Sequence, residues 1–135
     1  MENRRNFVMK VAAGMAATGF LTVPVRAHAS ENQMKNVFVH HVFFWLKDPQ
    51  NAEARKNFES GITELVKVPL IQKSHIGMPV ESPREVVDDS FTYSYMAFFK
   101  SKEDQDAYQT HPIHLKFVED CQHLWEKVIV YDAMD

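Results

Sequence analysis

The stretch VFVHHVFFWLK, residues 37–47, decides how the rest of the sequence is interpreted. It is rich in Val, Phe and Trp, which favour β-structure, so it predicts a strand. Side chains alternate along a strand, so one face carries Val37, Val39, His41, Phe43 and Trp45, and the other carries Phe38, His40, Val42, Phe44 and Leu46. Both faces are apolar, which predicts a strand that is covered on both sides.

The patterns that follow predict alternating helices and strands. Residues 48–68 have the helical period, with an apolar stripe of Ala54, Phe58, Ile62 and Leu65 on which Gly61 favours close packing. Further elements are predicted as strands at 70–80 and 91–100, a short helix capped by Ser101, a helix opening at Pro112 and a strand at 127–133. The order β-α-β-β-α-β is the ferredoxin-like α+β arrangement, with a four-stranded antiparallel sheet.

In such a fold the helices cover one face of the sheet. We expect the other face to expose Phe38, Val42, Phe44 and Leu46, a larger apolar patch than a soluble monomer usually shows. A second copy packing sheet to sheet would bury that patch. The sequence therefore predicts a homodimer.

The first 29 residues have the features of an export signal. Arg4, Arg5 and Lys10 precede the uncharged residues 11–25, and Ala-His-Ala at 27–29 fits a cleavage site. The pattern Arg-Arg-Asn-Phe resembles a twin-arginine signal, with the Sec route and an uncleaved anchor as alternatives. We predict a signal peptide at 1–29, a polar lead-in at 30–36 and a domain at 37–135. The mature protein would be periplasmic or secreted and free of the membrane.

Charge and cysteine content exclude several classes of protein. Removal of residues 1–29 leaves 11 basic and 17 acidic residues, a formal net charge of −6, so no nucleic-acid partner is predicted. The single cysteine, Cys121, excludes an internal disulfide and a cysteine-based zinc site. We interpret Cys121 as a small buried residue of a helix.

Histidines are the candidate catalytic groups. His114 lies on a stripe with Val118, Cys121 and Trp125, which predicts that it faces inward. On the first strand only one of His40 and His41 can face the helices. His111 precedes Pro112, which favours an extended conformation that turns His111 away from the stripe. The structural alternative is a buried histidine beside a helix-start motif.

At the level of motifs, VHHVFFWLK, AYQTHPIHLKF and VIVYD together resemble the stress-responsive A/B barrel domain (Dabb) family over about residues 37–133. The resemblance implies a ferredoxin-like dimer whose two sheets close into an α/β barrel. A plant polyketide cyclase of this family catalyses an aldol condensation without a metal. Resemblance to this cyclase implies catalytic roles for His41, His114 and Tyr108. Its further pocket tyrosine aligns near Gly61, so that hydroxyl is missing here.

Two functions from different classes follow from these residues. The first is an exported protein that binds a small molecule in a sheet–helix cavity, with a His41–His114 pair for lyase, cyclase or isomerase chemistry. Its predicted substrate-binding residues are His111, Phe43, Trp45, Tyr93 and Tyr95. The alternative is a non-catalytic, stress-associated dimeric scaffold; oxygenase chemistry is a third, without a cofactor fingerprint in the sequence. His41, His111 and His114 could supply nitrogen ligands to a metal ion, but the His-Pro-x-His pattern is a weak signal, so no metal or cofactor is predicted.

Overall fold

The computed structural model describes residues 32–135, and the predicted signal peptide at 1–29 lies outside them. Residues 32–135 contain four strands, three α-helices and one short 3₁₀ helix, in this order: β1 (Phe38–Leu46), α1 (Ala52–Leu65), β2 (Lys73–Gly77), β3 (Tyr93–Phe99), α2 (Lys102–Gln109), α3 (Pro112–Cys121), the 3₁₀ turn Gln122–Leu124 and β4 (Trp125–Met134). Within this described range no helix has the length and apolar character needed to cross a membrane.

The strands form one antiparallel sheet in the order β2-β3-β1-β4. Strand β1 is central, and it pairs with β3 on one side and with β4 on the other. The predicted ferredoxin-like α+β fold with a four-stranded antiparallel sheet is confirmed. Strands β2 and β4 are the edges.

Local sequence explains where the helices begin. The Asn51 side chain accepts a hydrogen bond from the Ala54 N–H at the start of α1, and the Ser101 hydroxyl accepts one from Asp104 at the start of α2. Helix α3 opens with Pro112, where the missing N–H costs nothing, as the sequence predicted. In that helix the nitrogen Nδ1 of His111 accepts from the Ile113 N–H at 3.1 Å.

The two faces of the sheet are the reverse of the prediction. Phe38, Val42, Phe44 and Leu46, expected on the uncovered face, are buried on the face that carries the helices. They share this face with Tyr93, Tyr95, Ala97 and Phe99 of β3 through the strand register. On the other face Trp45 donates to the Ser90 hydroxyl and lies under the Lys127 ammonium, so its polar edge is satisfied outside the core.

Helices α1 and α3 pack closely against each other at Gly61. A Cβ atom added there would lie 2.3 Å from the Cys121 sulfur and 3.4 Å from a ring carbon of Phe117. The prediction that Gly61 permits close packing is confirmed. Cys121 is buried, as expected for a small apolar residue of a helix.

Replacing Gly61 tests this contact. We expect Gly61→Ala to lower the free energy of unfolding by about 1–3 kcal/mol through overpacking, despite alanine's better helix propensity. Chemical denaturation measures the change. Ser60→Ala, on the exposed side of the same turn, is the matched control and should not destabilise the protein.

A double variant separates steric overlap from other effects. Cys121→Ala removes the sulfur that the new methyl group would meet, so Gly61→Ala should cost less in that background. Equal costs in both backgrounds would contradict the assigned contact.

Candidate functional site

Five residues with polar side chains lie together on the helix-covered side of the sheet. We call them the His40 cluster: His40, Tyr95, Tyr108, His114 and Asp132. His40 lies on β1 and is buried. Its register partner on β4 is Asp132, and His40 Nδ1 lies 2.7 Å from a carboxylate oxygen of Asp132. An ionised carboxylate only accepts, so His40 donates Nδ1–H and keeps the lone pair on Nε2. The bond to Asp132 thus selects the tautomer.

Two tyrosines pack beside His40. Its ring centroid lies 5.8 Å from that of Tyr108 and 6.3 Å from that of Tyr95, with both pairs edge to face. The two phenol oxygens are 3.2 Å apart and buried. Burial raises the pKa of Tyr95 to about 12, although its bond to Tyr108 opposes the rise, and burial with the nearby Tyr95 raises the pKa of Tyr108 further. Both phenols are therefore neutral hydrogen-bond donors at physiological pH.

His114 completes the cluster from helix α3. Its ring centroid is 4.6 Å from that of Tyr108. Burial lowers the pKa of His114, with a smaller opposing effect from the Gln109 carbonyl and a further lowering from His40. Its Nδ1 atom is buried and has no partner of hydrogen-bond geometry within residues 32–135, although the Gln109 carbonyl lies near enough to influence the pKa of the ring. A buried nitrogen without a partner is unusual, and water or a ligand commonly satisfies such a group.

His41, predicted to pair with His114, lies on the opposite face of the sheet. Its Nε2 is 2.8 Å from the Ser94 hydroxyl, and its ring packs on Phe43 with centroids 4.2 Å apart. Successive strand residues point to opposite faces, so the burial of His40 excludes His41 from the helix side. The predicted pairing of His41 with His114 is therefore wrong, because the two side chains lie on opposite sides of the sheet. His40 is the strand histidine that lies on the same side as His114.

The predicted substrate-binding residues divide between the two faces. Phe43 and Trp45 share the uncovered face with His41, whereas Tyr93 and Tyr95 lie on the helix side and are buried. His111 serves as the N-cap of α3. Of these five residues, Tyr95 belongs to the His40 cluster, and His111 touches the cluster only through its backbone N–H, which donates to the Tyr108 carbonyl at 3.1 Å.

Tyr93 belongs to a separate network with helix α1. Its hydroxyl donates to the Glu59 carboxylate at 2.5 Å, and the Arg55 guanidinium lies 5.2 Å from its ring centroid. Burial together with the Glu59 contact raises the pKa of Tyr93 to about 12, while Arg55 opposes the rise. These contacts attach α1 to the sheet, so Tyr93 has a structural role here.

Sequence analysis missed two members of the cluster, His40 and Asp132. A signal existed for Asp132, since an acidic residue in the predicted closing strand can pair with a histidine on a neighbouring strand. This signal could not be used without knowing the register of β4 against β1, which pairs residues 92 positions apart in the sequence. Choosing between His40 and His41 needed the same long-range information.

Helices α1 and α3 also border a groove of about 420 Å³. Gly61 and Cys121 lie among its lining residues, together with Ile113 and Lys116, whereas His40 and His114 do not. The groove is thus separate from the His40 cluster. It lies at the place where the resemblance implied a missing tyrosine hydroxyl.

No three His, Cys, Asp or Glu side chains between residues 32 and 135 converge on a point that could hold a metal ion. The three histidines considered for such a site are separated, because His41 lies on the far face and the ring nitrogen of His111 caps a helix.

Three known proteins are similar to this chain. It is 28% identical over 100 residues to the stress-response A/B barrel domain-containing protein DABB1 of Arabidopsis thaliana. These aligned residues cover 73% of this chain and 47% of DABB1. The chain thus spans about half the length of this curated relative. The hydroxynitrile lyase of Passiflora edulis has a similar structure, with a TM-score of 0.63, 21% identity and coverage of 73% of this chain and 93% of the lyase.

A dimeric protein of unknown function with a ferredoxin-like fold, from Bacteroides fragilis, gives a TM-score of 0.60 at 18% identity. The match covers 76% of this chain and all of that one. At these identities the two solved structures establish the fold alone. The family model of the stress responsive A/B barrel domain matches residues 38–135, which is most of the chain. The protein therefore belongs to the stress responsive A/B barrel domain (Dabb) family.

Proposed function

We propose that this Dabb protein binds a small polar organic molecule at the His40 cluster and performs histidine-dependent acid–base chemistry there, of the lyase, cyclase or isomerase class. The observation that carries the proposal is the buried, unpartnered Nδ1 of His114, which lies in contact with Tyr108. A ligand hydroxyl or carbonyl group would satisfy that nitrogen. No cofactor is needed for proton transfer between histidines and a substrate.

The contacts of the cluster suggest a role for each member. Asp132 holds the His40 tautomer in which Nε2 carries the lone pair, so His40 is the proposed general base. It would take a proton from a hydroxyl group or from carbon next to a carbonyl. Tyr108 is a neutral phenol with its pKa raised by burial, which suits it to donate a hydrogen bond to the oxygen where negative charge develops. His114 would position the ligand.

A second candidate, the non-catalytic dimeric scaffold, is favoured by one observation. Tyr95 and Tyr108 are each 1% exposed, and their rings fill much of the space between β1 and the helices. If that space admits no ligand, the cluster serves only as a polar part of the core. Measurement of ligand contact at His40 and His114 distinguishes the two functions.

Two further parts of the proposal rest on the sequence and on similar proteins. Export is supported by the basic and apolar pattern of residues 1–29. A homodimer is supported by the half-buried apolar side chains on the uncovered face, Val39, Phe43, Trp45 and Met96, and by the dimeric Bacteroides fragilis protein of the same fold. The proposed interface is the uncovered face, as expected from the sequence, but that face carries these residues in place of Phe38, Val42, Phe44 and Leu46.

Ligand contact can be measured by NMR of the histidine rings. We expect mandelonitrile, benzaldehyde or phenol, added to the purified protein, to shift the ring resonances of His40 and His114. His114→Asn should abolish the shifts, because it removes the unpartnered imidazole nitrogen. Any turnover should fall by about 10²–10⁴-fold in His40→Asn. His123→Asn, an exposed position on the 3₁₀ turn, is the control. Shifts at neither ring with all three probes would favour the scaffold.

Stability should depend on pH through His114. Its pKa is lowered in the folded state, so the unfolded chain binds more protons at acidic pH. The free energy of unfolding should be fully present above the ordinary pKa of 6.5 and should fall as the pH drops below it. Denaturation at a series of pH values measures the slope. His114→Gln should reduce the slope without removing it, because burial also lowers the pKa of His41.

The proposed interface is tested with two adjacent residues of β4. Tyr131 lies on the uncovered face, 6.2 Å from Phe43 between ring centroids, and is 63% exposed. Val130 points to the opposite face and is 45% exposed. In sedimentation velocity, Tyr131→Glu should shift the protein toward monomer because it places a charge in the interface, whereas Val130→Glu should not. Equal behaviour of the two variants would contradict the assigned face.

A further inference from the structure

A row of metal-ligating side chains crosses the uncovered face of the sheet. Met96 on β3 is in direct register with His41 on β1 and with His75 on β2. Directly paired residues on neighbouring strands point to the same face, so the methionine lies between the two histidines. Neighbouring side chains in such a row have Cβ atoms about 4.5–5.5 Å apart, so two imidazoles and the flexible thioether between them can reach one ion held between this row and the next.

Both imidazoles lean toward the same neighbouring row. The His41 ring bonds the Ser94 hydroxyl, which lies two residues before Met96 on the same face. Ser94 is paired with Gly77 of β2, and a Cβ atom added to Gly77 would lie 2.9 Å from Cε1 of the His75 ring. The absence of a side chain at Gly77 therefore gives the His75 ring its place. The His41 ring thus contacts Ser94, and the His75 ring lies over Gly77, the register partner of Ser94.

We propose that His41, His75 and Met96 bind one Cu(I) ion per chain, with Ser94 as the residue that orients His41. Imidazole nitrogen and thioether sulfur are donors that suit copper, and the soft thioether favours the monovalent ion over zinc. When the Nε2–H of His41 donates to Ser94, its Nδ1 keeps a lone pair for the metal. A ring nitrogen held by a hydrogen bond in this way is the usual state of a metal-binding histidine.

Imidazole binds metal in its neutral form, which a neighbouring carboxylate would disfavour. No carboxylate within residues 32–135 forms an ion pair with His41 or His75.

This site is distinct from the His40 cluster, because it occupies the opposite face of the sheet. It lies on the face proposed for the dimer, so each protomer would bring its own row toward the partner. All three donors come from one chain, which sets the expected stoichiometry at one ion per chain.

Anaerobic titration of the purified protein with Cu(I), in competition with bicinchoninate, tests the site. We expect one equivalent per chain, lost in His41→Asn and in His75→Asn. Ser94→Ala should weaken binding by about 10–100-fold, as the loss of an orienting hydrogen bond does elsewhere. His123→Asn, whose side chain lies outside the row, is the control for exposed histidines and should bind like the unmodified protein.

NMR of the unmodified protein gives an answer that does not depend on the variants. Addition of Cu(I) should shift the Met96 methyl resonance together with the His41 and His75 ring resonances. Binding that survives both histidine substitutions, half an equivalent per chain, or an unshifted Met96 methyl group would each overturn the proposal. Unchanged NMR shifts in the His40 cluster would show that the two sites are independent.

Discussion

The alternation of side chains along the central strand β1 is the constraint on which the rest of the structure depends. Strand β1 is paired along both edges, so its register with β3 and β4 decides the face of every residue in the sheet. A shift of one residue would exchange the two faces. The pairing of His40 with Asp132 is consistent with this register, since it joins a buried imidazole on β1 to a carboxylate on β4. His40 therefore lies under the helices, and His41 does not.

Local patterns were sufficient for the elements and for the fold. The β-favouring residues of 37–47, the helical stripe through Phe58 and Ile62, the Ser101 cap and Pro112 each gave an element close to its observed bounds. They were insufficient for the site, because the strand has two apolar faces and local hydrophobicity does not rank them. Which face of β1 the helices cover depends on which residues of β3 and β4 lie opposite, and this pairing joins distant parts of the sequence. The family resemblance implied that His114 and Tyr108 share a site, and the structure places their rings in contact.

The two adjacent histidines, His40 and His41, thus lie in two chemically different environments. His40 is held by a carboxylate among buried phenols, where a neutral imidazole can accept a proton. His41 is held by a hydroxyl beside a thioether and a second imidazole, where a neutral ring can bind a soft metal. Close packing at Gly61 sets the distance between α1 and α3, and α3 carries His114. The helix contact and the catalytic proposal are therefore linked through one short helix.

The most direct test of this arrangement is a nuclear Overhauser measurement among the aromatic rings. We expect proton contacts between His40 and Tyr108, whose ring centroids are 5.8 Å apart, and between Tyr108 and His114, whose centroids are 4.6 Å apart. His41 should instead show contacts to Phe43. Observation of these contacts would establish His40 as the strand residue of the proposed site. Contacts from His41 to Tyr108 or His114 would contradict the assignment of faces, and the proposed roles of both histidines would fall with it.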